Sequence, residues 1–260
     1  MNELCERVSR QKGIGRTITC ELESTFPLPH QFRMCGRYSL TKGVDEISAG
    51  LGVLPLELPP RYNIAPTQEA PVALHDSERA IKLLRWGLVP AWAKDESIAF
   101  KTINARAESL ATTASFREAF KRRRCLILAD GFYEWRKQGR VKMPVRFTMK
   151  SEAVFGFGGL WESWRKPDGT ELRTFTIITT NANELTKPVH DRMPVIIPPE
   201  NYGLWLDPTL TATEPLQALL RPYPAEAMKC YEVDPVVNSV ANDRPQCVEP
   251  FQAAQAELNF

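Results

Sequence analysis

Short apolar stretches separated by polar and proline-rich segments set the pattern of this 260-residue chain. The stretches have the length of strands and are rich in β-branched and aromatic residues. They predict β-strands at residues 70–74, 80–86, 124–130, 144–149, 153–161 and 174–180. Helical signals are weaker, and they predict helical pieces at 44–52, 106–122, 183–188, 199–206 and 213–220. We therefore expect an α+β fold with a mainly antiparallel, barrel-like β core and interspersed helices.

The first 33 residues differ from the rest of the chain. They mix charged and polar residues without a period and lack the apolar core of a secretory signal. We interpret residues 1–33 as a leader ahead of a mis-assigned start, with Met34 as the true first residue; a disordered leader or a processed segment are the alternatives. No repeat or low-complexity linker divides residues 34–260, which we interpret as a single domain.

Composition excludes several classes of protein. No apolar run approaches the roughly 18 residues of a membrane span, and a net charge of +2 does not by itself indicate nucleic-acid binding. The six cysteines form no CxxC pair and there are only three histidines, so we expect no metal centre, and we expect a reducing, cytoplasmic location. The basic run Lys121-Arg122-Arg123-Arg124 fits a solvated helix end about as well as a phosphate-binding track.

The segment Met34-Cys35-Gly36-Arg37 carries the most distinctive chemistry. If Met34 is removed, Cys35 becomes an N-terminal residue with a free α-amine beside its thiol. The amine of such a 1,2-aminothiol condenses with an aldehyde, and the thiol then closes a five-membered thiazolidine ring. An α-amine with a pKa of about 7.7–8.0 is partly unprotonated at neutral pH and is competent for this step. An ordinary buried cysteine is the plainer interpretation of Cys35.

Other reactive residues stand beside Gly, Pro or Trp in segments further along the chain. Taken singly, His190 fits a structural histidine, Glu134 the exposed end of a strand, and Asn104 a helix cap. Trp86, Trp92 and Trp135 fit core aromatics. Taken together, these side chains supply a nucleophile, an acid/base pair and an orienting carboxamide, surrounded by phosphate contacts and stacking platforms.

Six motifs in order resemble one family. They are Met-Cys-Gly-Arg, Arg-Tyr-Asn-Ile-Ala-Pro, Trp-Gly-Leu-Val-Pro, Asn-Ala-Arg-Ala-Glu, Gly-Phe-Tyr-Glu-Trp and His-Asp-Arg-Met-Pro. The set is similar to the SRAP (SOS response-associated peptidase) family, whose members process abasic sites, and it extends from Met34 to about residue 245.

The resemblance implies a function and a set of residues for it. Cys35 would crosslink covalently to abasic sites in single-stranded DNA as a thiazolidine, which shields the lesion during the DNA damage response, with possible AP lyase and self-processing peptidase activity. Glu134 would act as acid/base in sugar ring opening and imine formation, His190 would shuttle protons, and Asn104 would position the sugar and the Cys35 amine. The DNA-binding residues that it implies are Arg37, Asn63, Pro66, Trp92, Arg106, Trp135 and Thr179.

The partner implied is single-stranded DNA with abasic sites, including junctions of single and double strands. We expect a monomer without cofactor, metal or membrane association. Two other functions stay open: an N-terminal-nucleophile amidohydrolase, in which the cysteine amine activates the thiol against an amide, and a non-catalytic module that binds single-stranded DNA. The resemblance requires cysteine at the mature N-terminus, so the crosslinking function depends on a start at Met34 or on cleavage before Cys35.

Overall fold

Strands make up most of the structure. The computed structural model of the protein describes residues 36–139 and 141–252, with Gln138 described by its backbone alone. The strands are β1 Tyr38–Leu40, β2 Arg61–Ile64, β3 Glu69–His75, β4 Arg79–Trp86, β5 Asn104–Arg106, β6 Arg124–Ala129, β7 Gly131–Gln138, β8 Val141–Met149, β9 Phe155–Arg165, β10 Glu171–Asn181, β11 Arg192–Pro194, β12 Ile196–Ile197 and β13 Met228–Glu232.

Helices are short and lie between the strands. The α-helices are α1 Asp45–Leu51, α2 Arg117–Arg122, α3 Tyr202–Leu206 and α4 Glu214–Gln217. The 3₁₀ segments are Glu96–Lys101, Ala107–Ser109, Pro199–Asn201, Ala225–Ala227, Pro235–Asn238 and Pro245–Cys247. No helix in the described ranges is long and apolar enough to cross a bilayer.

Five strands close on one another to form a barrel. β3 pairs antiparallel with β4 and β6, and β9 pairs antiparallel with β6 and β10. β10 then pairs parallel with β4, where Thr174 lies opposite Arg85 and completes the ring. Closure removes the free sheet edges that an open sheet would expose. The predicted α+β class with a barrel-like, mainly antiparallel core is confirmed.

Glycine allows β9 to lie between two barrel neighbours. Gly159 is opposite Cys125 of β6 on one side and Ile177 of β10 on the other. A Cβ at this position would lie 2.1 Å from Ile127 Cδ1 and 2.7 Å from the carbonyl oxygen of Thr176. The barrel wall therefore has no room for a side chain at Gly159.

A second sheet packs on the barrel through aromatic rings. Its order is β13-β8-β7-β1-β2, and all of its pairs are antiparallel. The ring of Tyr38 in β1 lies 5.3 Å from that of Trp86 and 5.8 Å from that of Phe157, and Phe132 lies 6.1 Å from Phe157. These buried edge-to-face and tilted contacts fix β1 over the barrel.

A buried carboxylate fixes the position of β1 within the second sheet. Asp130 accepts hydrogen bonds from Ser39 Oγ at 2.7 Å, and from the backbone N–H and the hydroxyl of Thr41, each at 2.6 Å. Arg146 of β8 donates to the same carboxylate at 2.9 Å and to Ser39 Oγ at 2.9 Å. Asp130 and Arg146 are both buried, so β1, β7 and β8 share one desolvated ion pair.

The second sheet also holds Arg146 from the other side. Arg146 Nη1 donates to the Tyr231 hydroxyl of β13 at 2.7 Å. Burial lowers the pKa of Arg146, but the charge of Asp130 and the contact with Tyr231 outweigh it, and the pKa is raised. Gly131 leaves room for the guanidinium, since a Cβ there would lie 2.7 Å from Arg146 Nε.

The predicted strands and the first predicted helix are confirmed, with shifted ends. The helix predicted at 44–52 is α1, and Gly52 follows it in the left-handed conformation with φ of 66°. The helix predicted at 183–188 is wrong: the segment forms turns, because Pro188 has no N–H to continue the pattern. Asn104 does not cap a helix but lies in β5, opposite Ile177 of β10.

We expect Gly159→Ala to destabilise the protein by about 1–3 kcal/mol, the usual cost of overpacking a filled core. The added methyl group would have to displace Ile127 and the backbone of β10. Urea unfolding followed by circular dichroism measures the effect. Gly203→Ala is the control, because Gly203 is exposed in α3 with nothing within 4 Å of an added Cβ. An unchanged midpoint for Gly159→Ala would contradict this account of closure.

We expect Asp130→Asn to destabilise the protein by about 3–5 kcal/mol, because it leaves the buried Arg146 charge without its partner. The amide keeps the size of the carboxylate, so the loss measures charge and hydrogen bonding more than volume. Urea unfolding is again the measurement, and Glu184→Gln, at an exposed position, is the matched control. Equal stabilities of the Asp130→Asn and Glu184→Gln variants would show that the ion pair does not hold β1.

Candidate functional site

The alignment of β1 with β7 sets the surroundings of Glu134. Tyr38 lies opposite Phe132, and the N–H of Tyr133 donates to the carbonyl of Arg37 at 3.1 Å. Glu134 is the next residue of β7 after this contact with Arg37. Glu134 is only 4% exposed, so its carboxyl is not the solvated strand end considered above. Cys35, bonded to Gly36, lies outside the described residues.

Arg37 is a hub of contacts at the start of β1. Its Nη1 donates to Asn63 Oδ1 and to the carbonyl of Val237, each at 2.9 Å. Its Nη2 donates to the carbonyl of Asn238 at 3.3 Å, and its guanidinium carbon lies 5.8 Å from the ring centroid of Trp135. Burial lowers the pKa of Arg37, whose charge is partly withdrawn from water.

Asn63, which accepts a hydrogen bond from Arg37, also binds the backbone of the segment 237–242. It is fully buried, and its amide nitrogen lies within hydrogen-bond distance of the carbonyls of Val237, Ser239 and Asn242, at 3.1, 2.9 and 2.7 Å. Trp135 Nε1 donates to Asn238 Oδ1 at 2.6 Å. The structure thus brings Arg37, Asn63 and Trp135 together around one loop; their contact with DNA stays a prediction.

Asp243 completes this loop and was missed by the sequence analysis. One carboxylate oxygen accepts from the backbone N–H groups of Tyr62 at 2.5 Å and Asn63 at 3.0 Å. The other forms an ion pair with Arg61. The only signal in the sequence was Arg61, which begins the Arg-Tyr-Asn-Ile-Ala-Pro motif, so the long-range partner could not be identified there.

A second group of predicted residues lies at the end of β10. Asn104 is opposite Ile177 and Arg106 is opposite Thr179 in the parallel pair of β5 with β10. Asn104 is 8% exposed, Thr179 is fully buried, and Arg106 is exposed. The strand pair therefore presents the Arg106 side chain to solvent beside a buried carboxamide.

Arg192 links this group to His190. Its guanidinium donates to both carboxylate oxygens of Glu108, at 2.7 and 2.9 Å, and to the carbonyl of Thr179 at 2.7 Å. The hydrogen bonds from Arg192 hold the pKa of Glu108 below its usual range. Arg192 and Glu108 were missed as site residues, although both lie in quoted motifs, since the sequence does not show that the two motifs meet.

The backbone N–H of Arg192 also orients His190, by donating to His190 Nδ1 at 3.0 Å. Nδ1 also lies 3.2 Å from Asp191 Oδ1 and 3.3 Å from the carbonyl oxygen of Arg192, so the turn orients the ring through Nδ1. His190 is 22% exposed at its side chain. The imidazole is therefore oriented by the turn before β11 and is partly exposed to solvent.

One pair of buried rings ties the two groups together. Tyr38, two residues after Gly36, packs on Trp86. Trp86 Nε1 donates to the carbonyl of Ile103 at 2.8 Å, and Ile103 precedes Asn104. Trp86 is thus a core aromatic, as the plainer interpretation has it, and it joins the strand that follows Cys35 to the strand that carries Asn104.

The remaining predicted contacts lie elsewhere. Pro66 is buried in the turn between β2 and β3, where Thr67 has a positive φ of 75° and donates its N–H to the carbonyl of Trp86 at 2.9 Å. Trp92 is 60% exposed on the loop after β4, beside a shallow cleft with Lys94 and Lys101. Trp92 is therefore not a core aromatic.

Two of the four residues in the basic run 121–124, Arg123 and Arg124, bind other groups of the protein. Arg124 is buried, and its guanidinium donates to the carbonyls of Phe120, Lys121, Trp205, Asp207 and Leu210. Burial lowers the pKa of Arg124 to about 10. Arg123 forms an ion pair with Glu162. The run is thus neither a plain solvated helix end nor a four-residue phosphate track.

Candidate metal ligands do not cluster in the described ranges, where no group of three or more His, Cys, Asp or Glu side chains could hold an ion. Three cysteines there are free thiols: Cys125 and Cys247 are buried, and Cys230 is exposed. Among the described residues, the predicted site residues with titratable side chains are Arg37, Arg106, Glu134 and His190.

Comparison with known proteins identifies relatives over most of the chain. The family described as "SOS response associated peptidase (SRAP)" matches residues 34–240. The abasic site processing protein YoqW of Bacillus subtilis is 46% identical over 222 residues, which is 83% of this chain and 99% of YoqW. The abasic site processing protein HMCES of Gallus gallus is 34% identical over 226 residues, covering 74% of this chain and 67% of that protein.

A solved structure shows the same fold. A crystal structure of a protein from Bacteroides thetaiotaomicron is similar with a TM-score of 0.77 and 29% identity, over 84% of this chain and all of that one. The match of the family to residues 34–240 covers well over half of the chain, and the motifs that carry it stand at the two linked groups of the structure. The chain belongs to the SRAP family.

Proposed function

We propose that this protein processes abasic sites in DNA, by forming a covalent thiazolidine crosslink between a mature N-terminal Cys35 and the open-chain sugar of an abasic site in single-stranded DNA. Its relatives YoqW and HMCES are named abasic site processing proteins. The observation that carries the proposal is the burial of Glu134 in β7 next to Tyr133, whose N–H donates to the carbonyl of Arg37, two residues after Cys35.

The N-terminal residue is the first requirement of this chemistry. The match to the family begins at Met34, which supports a mature chain that starts at Cys35. With residues 1–34 attached, the Cys35 nitrogen would be an amide, which does not condense with aldehydes. The proposal includes the division of the chain into a leader, residues 1–33, and a single domain, residues 34–260.

The reaction proceeds through an imine. The Cys35 amine adds to the sugar aldehyde to give a carbinolamine, which loses one water molecule to form the imine. The Cys35 thiol then adds to the imine carbon, and its proton is transferred to the nitrogen, which closes the thiazolidine. The net reaction of aminothiol and aldehyde releases one water and needs no oxidant or cofactor.

Three side chains would move protons or hold the sugar. Glu134, in a low-polarity setting beside Trp135, would act as general acid/base for sugar ring opening and for loss of water from the carbinolamine. His190 would shuttle protons with an imidazole that its contacts with Arg192 and Asp191 orient. Asn104 would hold the sugar and the amine with its carboxamide. The same imine can lose a proton and the 3′ phosphate, which is the AP lyase side reaction.

The remaining predicted residues would bind the strand around the lesion. Arg106 is exposed and free to contact phosphate, whereas Arg37 would use a guanidinium already oriented by Asn63 and Val237. Trp92 and Trp135 would stack on bases. Asn63, Pro66 and Thr179 are buried, so they would contribute mainly by shaping the surface that the DNA contacts. Such binding depends on phosphates and ring faces, and so is largely independent of base sequence.

The experiment that tests the proposal is crosslinking to an oligonucleotide with one abasic site. Protein that begins at Cys35 should give a heat-stable, gel-shifted adduct, and Cys35→Ala and Cys35→Ser should give none. Both variants keep the α-amine, so an imine trapped by borohydride should remain in each. Cys230→Ala is the matched control, since Cys230 is an exposed thiol on β13, the edge strand of the second sheet.

A heat-stable adduct from Cys35→Ala would refute the proposal. Turnover of glutamine or another amide without any adduct would favour the amidohydrolase instead. Unchanged DNA affinity of Cys35→Ala together with no adduct from the wild type would favour the non-catalytic binding module.

Replacement of the proton-transfer groups should slow crosslinking without loss of DNA binding. For Glu134→Gln and His190→Ala we expect the single-turnover rate of adduct formation to fall by about 10²–10⁴, the range for loss of a general acid or base. Fluorescence anisotropy with DNA that has no abasic site should give affinities near that of the wild type. Glu184→Gln repeats the first substitution at an exposed site. An unchanged rate in the Glu134→Gln, His190→Ala double variant would show that these roles are wrong.

A further inference from the structure

The loop that carries Trp92 is held at alternate backbone positions by side chains of the barrel. The N–H of Ala91 donates to Glu162 Oε2 at 3.3 Å, and the carbonyl of Ala93 accepts from Trp164 Nε1 at 2.8 Å. Trp92 lies between these two anchors and is itself 60% exposed. Glu162 and Trp164 stand two residues apart in β9, so their side chains are on one face of the strand.

The entry to the loop is fixed in the same way. The N–H of Val89 donates to Thr174 Oγ1 of β10 at 2.9 Å, and the N–H of Ala93 closes a turn onto the carbonyl of Pro90 at 2.9 Å. Val89 also packs in a small buried cluster with Ala99 and Trp164. The backbone on both sides of Trp92 is therefore tied to the barrel.

Glu162 makes its contact at an energetic cost. Its side chain is 9% exposed, and Arg123 forms an ion pair with its other oxygen, Oε1. Burial raises the pKa of Glu162, and the charge of Arg123 and the Ala91 N–H oppose that rise. A buried ion pair adds little stability compared with apolar packing. In this protein the ion pair with Arg123 holds the Glu162 carboxylate in place as an acceptor for the N–H of Ala91, the residue before exposed Trp92.

We propose that Glu162 and Trp164 are positioning residues, which hold Trp92 in place as a pre-formed stacking platform for a base of single-stranded DNA. The inference rests on the proposed function, in which Trp92 contacts DNA. A platform on a mobile loop would lose conformational freedom on binding, and each ordered side chain costs affinity. Because the backbone on both sides of Trp92 is anchored, this conformational freedom is already lost when the protein folds, and binding does not have to remove it. Arg123 acts one step further away, by holding the Glu162 carboxylate.

Two variants test the anchors separately in the full-length chain. Glu162→Ala removes the acceptor for the Ala91 N–H, whereas Glu162→Gln keeps an acceptor oxygen there. Trp164→Phe removes only the indole N–H and keeps a ring in the buried cluster. Ser163→Ala is the matched control: Ser163 lies between the two anchors on the opposite face of β9, and its hydroxyl donates to the exposed carboxylate of Glu171 at 2.6 Å.

The first measurement needs no DNA. Amide hydrogen exchange of the segment 88–94 should be faster in Glu162→Ala and Trp164→Phe than in the wild type, and near the wild-type rate in Glu162→Gln and Ser163→Ala. Unchanged exchange in both Glu162→Ala and Trp164→Phe would overturn the proposal at its first step. Trp164→Phe keeps the test valid should Glu162→Ala fail to fold.

The second measurement couples the anchors to Trp92. Base stacking on an aromatic side chain is worth about 1–3 kcal/mol, so partial loss of its order in Glu162→Ala or Trp164→Phe should weaken binding of an oligothymidylate about threefold to tenfold. Glu162→Gln should recover most of that affinity. With Trp92→Ala already present, neither variant should weaken binding further. An equal loss in the Trp92→Ala background would show that the anchors do not act through Trp92.

These outcomes are separable from the proposed function. The binding probe contains no abasic site, so coupling of Glu162 to Trp92 would stand even if no covalent adduct formed. Conversely, a normal adduct together with unchanged oligothymidylate affinity in Trp92→Ala would overturn this inference and leave the crosslinking proposal intact.

Discussion

The buried ion pair of Asp130 with Arg146 is the interaction on which the arrangement of the site depends. Four donors converge on the Asp130 carboxylate, three of them from Ser39 and Thr41 at β1. β1 has only three residues, too few for its ladder hydrogen bonds alone to hold it. The carboxylate and the packing of Tyr38 on Trp86 supply what the short strand lacks. Since Arg37 leads directly into β1, its contact with Tyr133, the neighbour of Glu134, depends on the same anchor.

The two groups of predicted site residues lie in different sheets. The second sheet contributes Glu134, Arg37 and Trp135, and the end of β10 contributes Asn104, Arg106 and His190 through β5 and the turn before β11. Much of the polar chemistry is directed inwards: Asn63, Asp243 and Arg192 bind backbone or side-chain groups of the protein and orient the outward-facing groups. Asn63 and Arg192 stand in quoted motifs and bind groups of the protein, so a polar residue in a motif is not by itself a ligand contact.

The sequence predicted the local structure well and the long-range partners poorly. Strand length and β-branched and aromatic content were enough to locate β3, β4, β6, β8, β9 and β10, each of which has at least six residues. β1 and β5, at three residues each, have too little pattern to detect, and both are stabilised by pairing with distant strands. The burial of Arg124 inside a basic run, and the contacts of Asp243 with Arg61 and of Glu162 with Ala91, arise from tertiary packing that no local pattern encodes. The aminothiol chemistry of Cys35 was predicted from the motif Met34-Cys35-Gly36-Arg37.

Peptide mass spectrometry of the crosslinked product tests the central claim most directly. After digestion of the DNA and the protein, the account predicts a deoxyribose remnant on the peptide that begins with Cys35, with neither its amine nor its thiol available to labelling reagents. A remnant on a lysine or on an internal residue would contradict the account. An adduct formed by protein whose first peptide begins at Met1 would contradict it equally, because Cys35 would then have no amine to react.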